Sequence, residues 1–226
     1  MSRAQRKSSG RPAARGNGGR TAPGRFIVLD GPDGAGKTTQ ARRLAEGLKR
    51  RGLRTVCLRE PGGTAAGEAI RGILLAHRHA RLTAAAEAFL FEAARAQLVA
   101  EVIRPALARG AWVLCDRFTL STLVYQGYAG GVDPRAIERL SALATDGVRP
   151  DLYLVVWVPP EVGVERRADR AGDRMESKGS RFLRDVASAY RRVALRSRGR
   201  LRLVDGRGSV DEVHARIWKH VERLLP

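Results

Sequence analysis

The chain has little cysteine. Cys57 and Cys115 are the only two in 226 residues, too few for the disulfide framework of a small secreted scaffold. Each lies in an apolar run that reads as an interior strand, so both are expected to be small buried hydrophobes in a reducing compartment. Neither has a Cys or His nearby at metal-ligand spacing, which argues against a zinc site. No apolar run approaches the ~20 residues that cross a bilayer. The N-terminus lacks the apolar core of a secretory signal, and its glycines and missing amphipathic pattern set it apart from an organelle transit peptide; a cytoplasmic location is the expectation. Acid is missing from the first 25 residues, which hold seven Lys/Arg and no Asp or Glu. Residues 1–23 are also poor in apolar side chains and cannot bury enough surface to order themselves. They read as a disordered basic tail, either a solvated extension or a weak contact for nucleic acid.

The remainder is globular in composition, with 43% hydrophobic residues overall. Without the first 25 residues the chain still holds 35 basic against 23 acidic residues, a net +12. That balance suits an anionic ligand, or a surface on which Arg is simply the favoured solvated residue. Within this part, one stretch stands out. Gly31 to Thr38 reads GPDGAGKT and matches the Walker A pattern at Gly31, Gly36, Lys37 and Thr38. The apolar run Phe26-Ile27-Val28-Leu29 before it reads as a strand, and Thr38 to Arg51 reads as a helix, the context that supports the motif. Glycines let successive backbone N–H groups converge on a phosphate, and the helix N-terminus adds partial positive charge. Gly31, Pro32, Asp33, Gly34, Ala35, Gly36, Lys37, Thr38 and Thr39 are therefore the candidate triphosphate loop, with Lys37 on the outer phosphates and Thr38 placed for Mg²⁺.

Along the chain, strands are expected at Arg25–Asp30, Thr55–Leu58, Trp112–Cys115, Leu152–Val158 and Leu201–Val204. Helices fall between them, one capped by Thr64, one opened by Asp133-Pro134, and a last one with a Ser209/Glu212 capping box. Pro105 is expected to kink or divide a long helix over Ala84–Arg109. Gly127 to Gly131 reads as a loop. The near-continuous apolar character of Leu152–Val158 fits a parallel strand covered on both faces. The alternation predicts an α/β fold in three layers, a five-stranded parallel sheet between helices, as one domain over 24–226. Arg166 to Ser180 is charged and poor in apolar residues, and reads as a mobile lid.

Further chemistry is expected at strand ends, where parallel sheets bind ligands. Asp33, inside the loop, suits a sugar hydroxyl or a metal-bound water, or is an ordinary loop aspartate. Asp116 stands at the Walker B position near the metal, and Arg117 beside it is suited to clamp a phosphate. Phe91 and Arg95 share a helix face and are suited to hold a planar base, although by pattern alone Phe91 reads rather as core.

FIVLDGPDGAGKTT, REPGGT, FLFEAARAQL, DRFTLSTLVYQG, RPDLYLVV and DRMES occur in that order. Together they resemble bacterial thymidylate kinases, nucleoside monophosphate kinases of the P-loop class, from about Arg25 to the C-terminus. The resemblance implies transfer of the ATP γ-phosphate to dTMP with Mg²⁺, a step toward dTTP, by a homodimer whose helices pack across a two-fold axis. It implies that Phe91 stacks on thymine, Arg95 hydrogen-bonds it, Asp33 serves the sugar 3′-hydroxyl or its water and metal neighbours, Arg117 binds the dTMP phosphate with Arg59 to Gly63 shaping that pocket, and Ser121, Thr122, Tyr125 and Gln126 line base and sugar. Tyr125 is expected to disfavour a 2′-hydroxyl. Gly34 stands where some members carry arginine, which moves the expected catalytic cations into the lid: Arg166, Arg167, Arg170 and above all Arg174, beside Lys37 and Arg117. Glu176 is expected to reach the acceptor phosphate through metal or water. Phe118 departs from the Tyr or His frequent there. Against this stand a kinase for another nucleotide or nucleoside, and a nucleic-acid-binding regulator with a nucleotide switch.

Overall fold

The computed structural model describes residues 24–79, 81–168 and 172–226. The expected tail, residues 1–23, and the lid candidate Arg170 lie outside them. Five strands, β1 (Phe26–Asp30), β2 (Thr55–Arg59), β3 (Trp112–Asp116), β4 (Leu152–Trp157) and β5 (Leu201–Asp205), form one sheet in the order β2-β3-β1-β4-β5. Every pairing is parallel. This is the expected α/β architecture. The central strands bury both faces because helices cover both sides: all five residues of β1 and of β3 are buried.

One layer holds α1 (Lys37–Lys49) and α9 (Val210–Val221). They press Leu44, Leu48, Ile217 and Val221 onto Ile27, Leu29, Leu114 and Leu154. The other layer includes α3 (Ala84–Leu98), α4 (Arg104–Ala108) and α8 (Ser180–Arg196). They set Leu98, Ala106, Val186 and Tyr190 against Phe26, Val28, Val113 and Val155. Alternate residues of each strand supply opposite cores, as the two-residue period of a strand requires. Thr64 caps α2 (Ala65–Leu75) by accepting from the Gly67 N–H, and the capping box on α9 is complete.

Three expectations are corrected. Cys57 is exposed rather than buried, because β2 is an edge strand and one side of an edge is only partly covered. The division expected at Pro105 appears earlier, as a π-helical turn over Val99–Ile103. Proline donates no hydrogen bond and crowds the carbonyl four residues back, and the wider turn relieves that clash. A second π-turn, Leu123–Tyr128, follows the short helix α5 (Thr119–Thr122) and occupies part of the expected glycine loop. It buries four consecutive residues, Val124, Tyr125, Gln126 and Gly127, more than a 3.6-residue turn turns inward together. Helices α6 (Pro134–Thr145) and α7 (Pro160–Glu165) and the 3₁₀ turns His77–His79, Glu176–Lys178 and Glu222–Leu224 complete the described elements.

Ile217 is wholly buried under the sheet. Ile217→Ala is expected to lower unfolding free energy by about 2–5 kcal/mol, read by urea denaturation; a loss under about 1 kcal/mol would contradict this packing.

Candidate active site

A cleft of about 730 Å³ runs along the carboxyl edge of the sheet. The loop between β1 and α1 crosses its middle. Gly36 caps α1 with φ 85°, a left-handed conformation that glycine adopts freely, and Asp33 through Thr39 line the cleft. Gly31 and Pro32 stand behind, their carbonyls accepting from the Arg117 guanidinium at 3.2 Å and the Lys37 ammonium at 2.8 Å. At Gly34 (φ 79°) a Cβ would lie 2.3 Å from the Gly163 carbonyl oxygen of α7. The arginine that some relatives carry here has no room on this backbone.

Three charged groups meet beside the loop. Arg117, itself at φ 73°, pairs with Asp33 and donates to Ser121 Oγ at 3.0 Å. The Tyr125 hydroxyl donates to the other Asp33 oxygen at 2.7 Å. Burial alone would raise the Asp33 pKa, but Arg117, Lys37 and the Tyr125 hydroxyl together hold its carboxyl well below the usual carboxylate range. Lys37 is pushed the other way for an amine, down to about 8, by burial and then by the Arg117 charge, with Asp116, Asp33 and Asp30 opposing. Thr38 donates its hydroxyl to Asp116 Oδ2. The second Asp116 oxygen is buried with no hydrogen-bond partner. A hydroxyl and an orphan carboxylate oxygen beside a phosphate loop suit a hard divalent cation that keeps most of its water, as Mg²⁺ does.

Phe91, Thr122, Tyr125 and Gln126 form one end of the cleft, and Ser209, Val210 and Val213 the other. Arg59 lines the side near Pro61, half exposed and 3.4 Å from Glu68. Glu176 lines the wall opposite the loop and pairs with Arg167 at 3.0 Å.

Two expected site residues point elsewhere. Arg95 is 1% exposed and faces Glu60 at 2.7 Å and Glu92 at 2.6 Å. Its remaining donors reach the Phe118 carbonyl and Thr122 Oγ1, both at 3.1 Å. In this structure it forms the floor beneath the base end, not its lining. Arg174 is 4% exposed. Its guanidinium donates to Glu87 at 2.6 Å and to the Leu74 carbonyl at 2.7 Å, away from the loop. Glu92 lies three residues before Arg95 on the same helix, but local spacing could not disclose the pairings of Arg95 with Glu60 or of Arg174 with Glu87, whose partners are distant in sequence. Arg166 and Arg167 line the cleft in its place. Arg166 reaches the Gly206 carbonyl at 3.0 Å, and the Arg167 charge is felt by Asp33.

The thymidylate kinase family model matches residues 29–217. The chain belongs to the thymidylate kinase family. It is 47% identical over 204 residues to the thymidylate kinase of Pelotomaculum thermopropionicum, covering 89% of this chain and 94% of that one. With the thymidylate kinase of Synechococcus sp. (strain CC9902) it shares 51% over 174 residues, 74% of this chain and 83% of the other. The crystal structure of thymidylate kinase from Ehrlichia chaffeensis superposes with a TM-score of 0.72 at 32% identity, over 88% of this chain and 99% of that one.

Family membership makes the protein a P-loop kinase, and two lining residues now stand out beside those expected. Arg71 lines the cleft, donating to the Pro61 carbonyl at 3.0 Å. Asp173 is the second. Glu60, within the stretch expected to shape the acceptor pocket, also lines it, its pKa lifted by burial, against the pull of Arg95, to about 7. Arg71 follows Glu68 by three residues on α2, a spacing that puts both near the REPGGT turn and that the sequence displayed. Phe118 is turned into the core, edge-on to Phe26 at 5.0 Å, and does not line the cleft. Among the described residues no helix is long and apolar enough to cross a membrane.

Because the Lys37 ammonium is present below about pH 8 and lost above it, affinity of the free protein for a nucleoside triphosphate is expected to fall as pH rises from about 7 to about 9. Calorimetric titration across that range reads the decline, and Lys37→Met is expected to abolish it along with most of the binding.

Proposed function

We propose that the protein transfers the γ-phosphoryl group of ATP to dTMP, yielding dTDP and ADP. The observation that carries this reading is the cluster Asp33–Arg117–Tyr125, which joins the triphosphate loop to the base-sized end of the same cleft. Donor and acceptor phosphates then meet at one point. ATP lies with its phosphates over Gly31 to Thr39 and Lys37 on the outer ones, its adenine toward Ser209 and Val210. The dTMP phosphate faces Arg117, flanked by Arg59 and Arg71. Thymine enters between Phe91, Thr122 and Gln126. Tyr125, whose hydroxyl is occupied by Asp33, presents a fixed ring under the sugar and leaves no space for a 2′-hydroxyl. Asp33 accepts from the 3′-hydroxyl.

The acceptor phosphate is already a dianion near neutral pH, so transfer needs alignment and charge neutralisation rather than a strong base. Lys37, Arg117 and Arg167 supply fixed positive charge around the transferring group. Arg174, buried on Glu87, is assigned to holding the lid, so the catalytic role expected of it passes to Arg167. Thr38 and Asp116 would hold Mg²⁺, with Glu176 facing it through water. A divalent ion held by those residues would supply charge neutralisation for the phosphates that Lys37 faces. Segment 166–180, acting as a lid, excludes water and so suppresses hydrolysis of ATP.

A homodimer fits the same surface. Helix α3 packs between α2 and α6, and the three expose Ile73, Phe89 and Leu143, at 37%, 61% and 79%. Phe89→Asp is expected to convert a dimer into monomer by sedimentation; a wild-type monomer would end this part of the proposal. The basic tail has no role in the scheme, and the cytoplasm, where the substrates are made, is the expected compartment.

A coupled ADP-release assay with dTMP, dUMP, dCMP and AMP tests the main reading, with dTMP expected as the preferred acceptor. Arg167→Ala is expected to reduce kcat by about 10²–10³-fold with a much smaller change in the KM for dTMP. Preference for another acceptor would refute the assignment, and an equal effect on kcat and KM would move Arg167 out of the transition state.

A further inference from the structure

Behind the acceptor end of the cleft lies a carboxylate that does not line it. Glu87, in the first turn of α3, is 0% exposed. Groups from two distant parts of the chain converge on it. The Gln126 amide NH₂ donates to Oε2 at 2.9 Å. The Lys178 ammonium sits 2.7 Å from each oxygen, and Arg174 Nη1 donates to Oε1 at 2.6 Å. Lys178 and Arg174 both belong to the segment around the 3₁₀ turn Glu176–Lys178, whereas Gln126 belongs to the π-turn that walls the cleft.

An ionised carboxylate only accepts hydrogen bonds. Gln126 therefore turns its NH₂ toward Glu87, since the flipped amide would set oxygen against oxygen. The consequence is visible in the structure: Gln126 Oε1 is buried and has no hydrogen-bond partner. The atom left over, on a residue that lines the cleft, is an acceptor. Burial works against an ionised Glu87, but the hydrogen bonds from Lys178, Gln126 and Arg174 outweigh it and keep the carboxyl below its ordinary pKa.

We propose that Glu87 is a positioning residue for base selectivity: it locks the Gln126 amide with its acceptor toward the base, and Arg174 and Lys178 keep it in the ionised form that does so. This rests on the dTMP reading above. Thymine carries an N–H at ring position 3, a donor that matches the free Gln126 oxygen. Cytosine carries a bare nitrogen there, an acceptor that does not match. A neutral group at position 87 could donate to Gln126 Oε1 and turn the amide over, offering the cleft a donor instead. The segment bearing Arg174 and Lys178 and the base-reading amide thus share one carboxylate.

The test compares wild type and Glu87→Gln in the full chain, measuring kcat/KM for dTMP and dCMP with ATP, with thermal unfolding followed alongside. Glu87→Gln is expected to lower the dTMP-to-dCMP ratio by about tenfold or more, with part of the change a gain on dCMP. Adding it to Gln126→Leu is expected to change the ratio little further, because the amide it orients is gone. A general packing role predicts equal losses on both acceptors with the ratio intact, and that result overturns the proposal. Should Glu87→Gln not fold, Lys178→Met decides between the two: it lowers the ratio severalfold if the proposal holds and leaves it unchanged if not. A wild type that does not prefer dTMP would instead strike down the functional reading on which this rests.

Discussion

Asp30 ends β1 with a wholly buried carboxylate, and five donors meet on it. One oxygen accepts from the Gly31 N–H, the Ser121 hydroxyl and the Tyr190 hydroxyl at 2.9, 2.6 and 2.6 Å. The other accepts from the Phe118 N–H and the Tyr153 hydroxyl at 3.2 and 3.1 Å. A charge removed from water is tolerated only when its lone pairs are filled in this way. The donors come from the start of the phosphate loop, the β3–α5 connection, α8 and β4. The site's geometry follows: the phosphate loop and the segment proposed to hold the acceptor phosphate are tied to the same atom pair.

Buried ion pairs recur around the cleft, some of them linking elements far apart in the chain. Arg95, paired with Glu92 on its own helix α3, joins that helix to the turn after β2 through Glu60. Arg174 joins the segment before α8 to α3 through Glu87. Removing one partner of such a pair strands a charge and typically costs about 3–5 kcal/mol. These pairs are therefore poor catalysts and good anchors. The cations left facing the cleft, Lys37, Arg59, Arg71, Arg117, Arg166 and Arg167, surround the space where two phosphate groups would meet. At Gly34 the phosphate loop has no room for an arginine side chain, because Gly163 abuts it, and the arginines that line the cleft come from other segments.

Much of this was legible in the chain, and for local reasons. Strand, glycine loop and helix around Gly31–Thr38 are specified by residues within a few positions of each other, as are the Thr64 cap and the Ser209/Glu212 box. Unbroken apolar strands announced a sheet covered on both faces. Helix spacing correctly placed Phe91 and Arg95 on one side of α3. It did not disclose that Arg95 would turn to Glu60, 35 residues away. The π-turn over Leu123–Tyr128 was also hidden, because the glycine after Gln126 reads locally as the start of a loop.

The sequence by itself determined the alternation of strands and helices, the phosphate loop and the sign of the charge gathered near it, because propensity, capping and periodicity act over a few residues. Tertiary structure alone decided which arginines face the cleft. Cys57 is exposed because β2 fell at the sheet's edge, a matter of strand order. Arg174 and Arg167 are near neighbours of the same chemistry, yet one is buried on Glu87 and the other lines the cleft. That choice belongs to whichever carboxylate the fold brings within reach: Coulomb attraction in a dry interior acts over a few ångströms of space, whatever the separation along the chain.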